Sequence, residues 1–331
     1  MTAPLMKAAI LDAHREPFRI AATPRPNPGA GQVLVRIHAS GVNPLDTKIH
    51  EGAAAHAKHN APAILGLDMA GTIEVLGGGV DQFREGDEVY GMVGGVGGLQ
   101  GTLAEYISVS ADLLAAKPAN LSMREAAALP LIAITAWEGL VDRADVSVGE
   151  TVLVQGGGGG VGHVAIQIAR AFGAKVYAVD GAAKRAFVEG LGATFIDREE
   201  EVESYVLRHA GGAGFDLIYD TIGGSALDAS FKAVRHFGRV VSSYGWGTHS
   251  LAPLSFRAAT YSGVFTLLPL LTGKGQAHHG EILRQVARFV EEGKLTPRLD
   301  PRRFTLESAY EAYRLLKTRA AQGKLVVDIA R

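Results

Sequence analysis

Cysteine is absent from the sequence, although the chain is 331 residues long. Disulfide bonds, thiolate catalysis and every zinc or iron–sulfur site with a cysteine ligand are therefore excluded. An excess of one charge is lacking as well, because 33 lysines and arginines are balanced by 34 aspartates and glutamates. A net charge of −1 gives no sign of a nucleic-acid or membrane partner, and we expect neither.

Long hydrophobic runs are also missing. No stretch approaches the roughly 18 uncharged apolar residues of a membrane-spanning helix. Residues 1–20 carry a charge every few positions and lack the apolar core of a signal peptide. We therefore expect a cytoplasmic protein, with enough hydrophobic residues for two domains that each have their own core.

The sequence pattern changes twice along the chain. Residues 1–130 carry short strand-like runs between Gly- and Pro-rich turns, which is typical of a mostly β domain. Residues 131–268 alternate strands with helices, which predicts an α/β domain with six parallel strands and helices on both faces. Residues 269–331 contain two helical patterns and a final strand. The predicted strands of the middle region are Thr151–Gln155, Lys175–Asp180, Thr194–Ile196, Asp216–Asp220, Arg239–Ser243 and Tyr261–Thr266.

A run of five glycines, Gly156–Gly160, follows the first of these strands. The Gly-x-Gly-x-x-Gly fingerprint of dinucleotide-binding proteins needs its glycines between a strand and a helix. One register fits, namely Gly157, Gly159 and Gly162, and the apolar spacing over Val161–Phe172 predicts the helix. Pyrophosphate groups bind at such a helix N-terminus, so the run predicts a nucleotide site.

An acidic residue is expected where a bound ribose would lie. Asp180 ends the second predicted strand, 23 residues after Gly157, and could accept a hydrogen bond from a ribose hydroxyl group. The alternative interpretation of the run as a purely structural turn stays open until cofactor binding is measured. The fingerprint does not require Gly156 or Gly158, which we expect to be replaceable.

Six segments stand in the order typical of the medium-chain dehydrogenase/reductase superfamily. They are GVNPLDTKI, GLDMAGTIEVLG, LPLIAITAWEGL, QGGGGGVGHVAIQIARAFGAKV, YDTIGG and RAAQGKLVV. The chain most closely resembles the zinc-free quinone oxidoreductase branch, which includes zeta-crystallin. The resemblance implies a GroES-like, mostly β catalytic domain from residues 1–130 and 269–331, with a Rossmann domain over residues 131–268.

The resemblance also implies that zinc is absent. In zinc alcohol dehydrogenases a cysteine occupies the position of Asn43, and a Gly-His-Glu triplet occupies the positions of Gly66–Asp68. Both ligand positions are lost here. His50, His56 and His59 lie close together in the sequence, but their spacing is not a metal motif. We expect them to be solvated.

Reduction of an electrophilic acceptor is the implied reaction. Without a metal, a quinone or an apolar α,β-unsaturated carbonyl compound accepts hydride from NADPH or NADH more readily than a simple alcohol gives it up. Asn43 is expected to polarise the acceptor oxygen, and Thr135 to lie beside the nicotinamide. Asp46 is expected to orient the loop or to cap a helix starting at Thr47.

Three questions remain open at this point. His50, His59 or water could donate the proton. Enoyl thioesters are an alternative substrate, since some enoyl reductases belong to the same superfamily. A cofactor-binding structural or regulatory protein without turnover is an alternative of another class.

Further cofactor-binding residues are implied by the resemblance and by the strand ends. The full set is Gly157, Gly159, Gly160, Val161, Gly162, Asp180, Lys184, Arg185, Ile222, Gly223, Ser243, Gly245, Phe265, Thr266 and Arg319. The anions Asp180 and Asp197 suit NADH, whereas Lys184, Arg185 and Arg319 suit the 2′-phosphate of NADPH. We expect NADPH to be preferred. Relatives often pair through the last Rossmann strand, which implies a homodimer.

Overall fold

The computed structural model describes residues 4–329, and the chain forms two compact units. One unit contains the chain up to residue 131 and from residue 267 onward, and the other contains residues 132–266. Within the described part of the chain, no helix is both long enough and apolar enough to cross a membrane.

The first unit is built on β-sheets. Its strands are β1 (Leu5–Leu11), β2 (Arg19–Pro24), β3 (Gln32–Val42), β4 (Ala63–Ile64), β5 (Asp68–Leu76), β6 (Glu88–Met92), β7 (Tyr106–Ser110), β8 (Leu114–Ala116), β15 (Phe304–Thr305) and β16 (Leu325–Asp328). A seven-stranded sheet has the order β15-β16-β3-β5-β6-β8, with β7 also paired to β3, and a smaller sheet has the order β2-β1-β4. Strand β3 is central, so the residue that follows it is held between neighbours from both ends of the chain.

Short helices complete the first unit. They are α1 (Pro44–His50), α2 (Met123–Ala127), α9 (Leu268–Thr272), α10 (Gln276–Glu291) and α11 (Ala309–Lys317). Helix α1 directly follows β3, with Asn43 as its N-cap and Pro44 in its first turn, where a missing N–H group costs nothing. The helix therefore begins three residues before Thr47, because Pro44 already has the fixed φ angle of a helical residue.

The second unit contains the predicted parallel sheet. Its strands are β9 (Thr151–Gln155), β10 (Lys175–Asp180), β11 (Thr194–Asp197), β12 (Phe215–Asp220), β13 (Val234–Ser242) and β14 (Thr260–Gly263). All five pairings are parallel, and the order is β11-β10-β9-β12-β13-β14. The predicted fold class is confirmed, and the predicted bounds of β9 and β10 are correct. The last strand ends at Gly263, so Phe265 and Thr266 follow the strand instead of belonging to it.

Helices separate the strands of the second unit. They are α3 (Pro130–Trp137), α4 (Gly160–Ala171), α5 (Arg185–Gly190), α6 (Val202–Ala210), α7 (Ser225–Ala233) and α8 (Ala252–Arg257), and a π-helix over Glu138–Arg143 continues α3. The boundary between the units falls within α3. The order of the strands reverses at β9, which has β10 on one side and β12 on the other. In such sheets a ligand binds beyond the carboxyl ends of the strands at this reversal.

Candidate functional site

The loop from Gly156 to Gly159 connects β9 to α4 at the reversal point of the sheet. Gly156 makes the tight turn, since its φ of +76° lies in the left-handed region that favours glycine. Gly159 is the N-cap of α4. A Cβ atom on Gly159 would meet a single neighbour within 4 Å, the Gly156 carbonyl oxygen at 3.1 Å, so this side of the loop is open. The first N–H groups of α4 thus adjoin a space that suits an anion.

The two other fingerprint glycines allow close packing. A Cβ atom on Gly157 would lie 2.6 Å from the Cβ of Ala178 on β10. A Cβ atom on Gly162 would overlap the carbonyl oxygen of Gly156. The arrangement is the one in which a backbone cradle accommodates a pyrophosphate, so the residues present fit a dinucleotide.

The expectation that Gly156 is replaceable is wrong, whereas the expectation for Gly158 stays a prediction. Besides its positive φ, Gly156 has no room for a Cβ atom, which would lie 2.6 Å from Cδ1 of Ile222. A Cβ atom on Gly158 would lie 2.5 Å from Cδ of Lys184 and 3.1 Å from Oδ2 of Asp180. The fingerprint could not indicate these neighbours, because Ile222 and Lys184 lie outside it in the sequence.

Asp180 is bound to the glycine loop. Its Oδ2 accepts a 2.8 Å hydrogen bond from the N–H of Gly158, and its Oδ1 accepts a 2.8 Å bond from the N–H of Gly181. The ammonium group of Lys184 lies 3.5 Å from Oδ2. The carboxylate charge is thus largely satisfied within the protein, and it is less available to bind a ribose or to repel a phosphate.

The cations near the end of β10 differ in their surroundings. Arg185 lies over the ring of Phe195, 4.3 Å from its centre, and pairs with Glu189 at 3.4 Å. Arg198 was not among the predicted residues, yet its guanidinium carbon lies 3.6 Å from the position of a Cβ atom on Gly181. Lys184 and Arg198 therefore lie next to the strand end, where each also contacts an anion, Asp180 at 3.5 Å and Glu199 at 3.0 Å. Arg185 packs on Phe195 instead.

Arg319 lies in the other unit, just after α11, and has a positive φ of 58°. Its guanidinium group has no hydrogen bond or ion pair with residues 4–329 of the structure. The predicted contact of Arg319 with a cofactor phosphate stays a prediction.

The carboxyl ends of β12 and β13 are joined by Asp220, which sequence reasoning missed. Its Oδ1 accepts hydrogen bonds from the N–H groups of Ile222 at 3.1 Å and Gly223 at 3.0 Å. Its Oδ2 accepts a 2.6 Å bond from the hydroxyl of Ser242, and the Asp220 carbonyl accepts a 3.0 Å bond from the N–H of Ser243. The structure thus brings Ile222, Gly223 and Ser243 together at this edge of the sheet.

The remaining predicted residues of the second unit also lie beyond the strand ends. The hydroxyl of Thr266 donates a 2.9 Å bond to the carboxylate of Glu138 in the π-helix and lies 3.1 Å from the hydroxyl of Thr135. Phe265 packs edge-on against Trp246, with ring centres 6.2 Å apart. A side chain on Gly245 would collide with the hydroxyl of Tyr261. The structure therefore places Thr135 and Thr266 side by side, and the contact of Thr135 with a nicotinamide stays a prediction.

In the first unit, Asn43 belongs to a buried polar cluster that the sequence did not reveal. Asn43 and Asp68 are 0% exposed, Asp46 is 1% exposed and Lys324 is 7% exposed. The pairing of β3 with β5 and β16 brings the cluster together, because Gly41 lies opposite Asp68 and Val42 lies opposite Leu325. Asn43 then follows β3 between the two partner strands.

Hydrogen bonds fix the members of this cluster. The Lys324 ammonium donates to Oδ1 of Asn43, and to the carbonyl oxygen of Val42 at 3.0 Å. Nδ2 of Asn43 donates to Oδ2 of Asp68 at 2.9 Å, and Oδ2 of Asp46 accepts a 2.7 Å bond from the backbone N–H of Asn43. Asp46, in the first turn of α1, therefore forms a capping box with Asn43, the N-cap residue of this helix.

Burial shifts the ionisation of the cluster. Loss of water raises the pKa of Asp46 to about 8 and that of Asp68 to about 6, and the ammonium of Lys324 opposes both shifts. The same loss of water lowers the pKa of Lys324, while the two carboxylates raise it. A dry site with one ammonium favours one ionised carboxylate, so Asp46 is the acid that keeps its proton at neutral pH.

The residues at the former zinc positions do not fit zinc. A catalytic zinc ion needs three nitrogen, sulfur or carboxylate ligands. Here the ammonium of Lys324 binds Asn43, and its positive charge would repel a metal ion at this place. Among residues 4–329, no three or more His, Asp or Glu side chains are placed to hold a metal ion.

The sequence analysis predicted solvated histidines near α1, and for His50 this prediction is wrong. His50 is buried, and its Nε2 donates a 2.7 Å hydrogen bond to the carbonyl oxygen of Glu16. Its ring packs against Phe18 and Tyr313. His59 is half-buried, and loss of water lowers its pKa. His50 thus has a structural partner, and a role in proton donation stays a prediction for both residues.

The comparisons with known proteins cover both units. Residues 29–119 match the family of the alcohol dehydrogenase GroES-like domain, and residues 191–327 match the family of zinc-binding dehydrogenases. The chain is 35% identical to the NADPH-dependent alkenal/one oxidoreductase, chloroplastic, of Arabidopsis thaliana, over 89% of this chain and 72% of that protein. It is 31% identical to the quinone oxidoreductase of Sus scrofa, over 91% of this chain and 90% of that protein.

A solved structure is more similar still. The crystal structure of an alcohol dehydrogenase superfamily protein from Novosphingobium aromaticivorans has a TM-score of 0.97 and 56% identity, over 98% of this chain and 100% of that chain. The six motifs that carried the resemblance are spread along this same length, so the predicted resemblance is confirmed. The chain belongs to the medium-chain dehydrogenase/reductase superfamily, in its quinone oxidoreductase-like branch.

Proposed function

We propose that this protein is an oxidoreductase that transfers hydride from NADPH to a quinone or to an α,β-unsaturated carbonyl compound. The observation that carries the proposal is the open glycine cradle between β9 and α4, at the reversal point of a parallel sheet. The names of two relatives, an NADPH-dependent alkenal/one oxidoreductase and a quinone oxidoreductase, support the choice of acceptors.

The proposed chemistry needs little from the protein beyond position and charge. When bound, the reduced nicotinamide supplies the hydride. With an enone, hydride adds to the β-carbon, the π electrons move to the oxygen, and a proton from water on the α-carbon completes the reduction. A quinone accepts the hydride and one proton from water in total and becomes a hydroquinone, with both hydrogens on oxygen. The side chains that matter are those that stabilise the growing negative charge on the oxygen. Our candidate is Asn43, which is 0% exposed and bound to Lys324 and Asp68, so we propose that it acts together with the charge of Lys324 and not as an open contact surface.

NADPH is the proposed cofactor because of the surroundings of Asp180. The carboxylate is occupied by the N–H groups of Gly158 and Gly181 and by the ammonium of Lys184. It is therefore partly neutralised, which weakens the argument for NADH. Lys184 and Arg198 lie beside the strand end where the 2′-phosphate of NADPH would be expected.

Cofactor binding and turnover can be measured separately. Fluorescence titration with NADPH and NADH tests the cradle, and Gly159→Val is the variant that should fill it. NADPH consumption with 1,4-benzoquinone, trans-2-alkenals and crotonyl-CoA tests the acceptors. We expect NADPH to bind, and the quinone or the alkenals to be reduced. Reduction of crotonyl-CoA alone would favour an enoyl thioester reductase, and binding without any turnover would favour a structural or regulatory protein.

We also propose that the protein forms a homodimer through β14. This strand is at one edge of the six-stranded sheet and pairs with β13 on one side. Its residues are largely exposed, so their outward N–H and C=O groups are available to a second copy. Pairing of two such edges would continue the sheet through both copies.

A further inference from the structure

The ammonium group of Lys324 is enclosed in the first unit, beside the motif that the family shares. It donates to Oδ1 of Asn43 and to the carbonyl oxygen of Val42. Lys324 precedes β16, which pairs with the end of β3, so the register of the sheet itself delivers the ammonium to this place. A lysine in such a position is rarely without a role, since burying an ammonium group is costly unless it is paired.

The charges on either side of Asn43 determine how its amide is oriented. A lysine ammonium can only donate hydrogen bonds, so it must face the amide oxygen. The ionised carboxylate of Asp68 can only accept, so it must face the amide nitrogen, 2.9 Å away. The reverse orientation would place two donors together and two acceptors together. Lys324 and Asp68 therefore hold the Asn43 amide in one of its two orientations.

The same positions would hold a metal ion in a zinc-binding dehydrogenase. Asn43 stands where those enzymes have a ligand cysteine, and Asp68 ends the segment that corresponds to their Gly-His-Glu triplet. In this chain an ammonium group binds Asn43 at that place and Asp68 balances its charge. This chain thus has a cation at the motif and lacks the ligands suited to zinc there.

We propose that Lys324 is a positioning residue for the reaction, whose ammonium group fixes the Asn43 amide and provides a positive charge where a zinc-binding dehydrogenase has its zinc ion. This inference rests on the proposed function. The charge acts through Asn43 on the acceptor oxygen, where the electrons arrive when hydride adds to carbon. Asp46, which is neutral at this site, and the buried Tyr313 next to it add no opposing charge.

The role of Lys324 should depend on the acceptor. Reduction of an enone leaves the charge on an enolate, which is a strong base and needs stabilisation. Reduction of a quinone leaves it on a hydroquinone anion, which is delocalised over an aromatic ring and needs less. A residue that serves only the fold would affect both reactions equally, because it would change only the amount of folded enzyme.

The central variant is Lys324→Met, together with Lys324→Met/Asp68→Asn, which also removes the unpaired buried carboxylate. Lys324→Arg keeps the charge. Lys117→Met is the control, because Lys117 is a half-buried lysine of the same unit that binds Glu88 and the carbonyl oxygen of Leu121, away from Asn43. Each variant is measured for thermal unfolding, NADPH affinity, and kcat and KM with a trans-2-alkenal and with 1,4-benzoquinone.

We expect the double variant to fold and to bind NADPH as the wild type does. Its kcat for the alkenal should fall about 100-fold with KM nearly unchanged, whereas its kcat for benzoquinone should fall less than about 10-fold. Lys324→Arg should restore part of the alkenal activity, and Lys117→Met should change neither acceptor. A folded double variant with wild-type kcat for the alkenal, or with equal losses for both acceptors, would overturn the role of Lys324. A wild-type enzyme that reduces neither acceptor would instead refute the proposed function.

Discussion

The backbone N–H of Gly158 donates a 2.8 Å hydrogen bond to the carboxylate of Asp180, which fastens the glycine loop to the end of β10. Asp180 also accepts from its neighbour Gly181 and contacts Lys184. An acidic residue at this position is usually interpreted as a ribose-binding group. In this protein the carboxylate of Asp180 holds the glycine loop in place by its hydrogen bond with Gly158.

This relationship predicts that Asp180→Ala weakens both cofactors alike. Loss of a carboxylate that accepts backbone hydrogen bonds costs about 1.5–3 kcal/mol, and the loop would lose its support in either complex. We expect the Kd values of NADPH and NADH to rise together by about 10-fold or more in fluorescence titrations. A loss confined to NADH would mean that Asp180 acts directly on the ribose hydroxyl.

Cofactor choice should instead depend on Lys184 and Arg198. Each of the variants Lys184→Gln and Arg198→Gln should raise the Kd of NADPH about 10-fold, which corresponds to about 1.4 kcal/mol, and should leave NADH nearly unchanged. Arg185→Gln is the matched control, since Arg185 is engaged by Phe195 and Glu189. Equal sensitivity of NADPH to all three variants would show that no specific phosphate site exists among them.

Gly156 should be among the least replaceable glycines of the loop. Alanine there must adopt a φ of +76° and would bring its Cβ to 2.6 Å from Ile222 and 2.7 Å from Thr221. Gly149→Ala is the matched control, because Gly149 has a φ of +84° with open space around it. Calorimetry should show a clearly lower Tm for Gly156→Ala than for Gly149→Ala, which bears about 1 kcal/mol of backbone strain. Equal Tm values would mean that the neighbours move aside at no cost.

The sequence predicted the second unit better than the first. Buried parallel strands such as β9 and β10 are short continuous apolar runs, and their bounds could be predicted from local pattern alone. The cluster at Asn43 depends instead on strand pairings between residues far apart in the chain. Lys324 belongs to the RAAQGKLVV motif, but nothing near it in the sequence shows that β16 pairs with β3. Its contact with Asn43 became visible only in the tertiary structure.

The same limit explains the errors about single residues. The fingerprint does not require Gly156, whereas its positive φ and the side chains of Ile222 and Thr221 determine which residue fits there. Arg198 was overlooked because it is close to Gly181 only after β11 pairs with β10. Local patterns predict elements and loops, and contacts between strands decide which side chains meet.

Stability should fall between about pH 4 and pH 8 because of Asp46. Its pKa of about 8 in the folded protein lies above the ordinary value of about 3.9, so the folded state binds one proton more than the unfolded state in this range. The contribution of Asp46 to the free energy of unfolding is complete below its pKa in the unfolded chain. It is lost as the pH rises to the pKa of about 8 in the folded protein, with a slope of at most about 1.4 kcal/mol per pH unit.

Asp46→Asn replaces the protonated acid by a neutral group of the same shape. Its free energy of unfolding, measured with urea from pH 5 to pH 8.5, should rise relative to the wild type as the pH increases. Asp68, whose pKa is raised to about 6, remains in both proteins and cancels in the comparison to a first approximation. Asp300→Asn is the control with the opposite sign, since Arg302 lowers the pKa of Asp300 and the effect is confined to acid. Parallel curves for wild type and Asp46→Asn would contradict a protonated Asp46.

The two edges of the six-stranded sheet permit a direct test of the homodimer. Thr260 is an exposed residue of β14 at one edge, and Thr194 is an exposed residue of β11 at the other. Thr260→Lys would place like charges on the paired edges, and lysine on an edge strand opposes pairing with another strand. Light scattering should give twice the mass of one chain for the wild type and for Thr194→Lys, and the mass of one chain for Thr260→Lys. Because both substitutions add the same charge to the same kind of edge, a monomer formed by Thr194→Lys alone would assign the interface to β11 instead, and a monomeric wild type would exclude both edges.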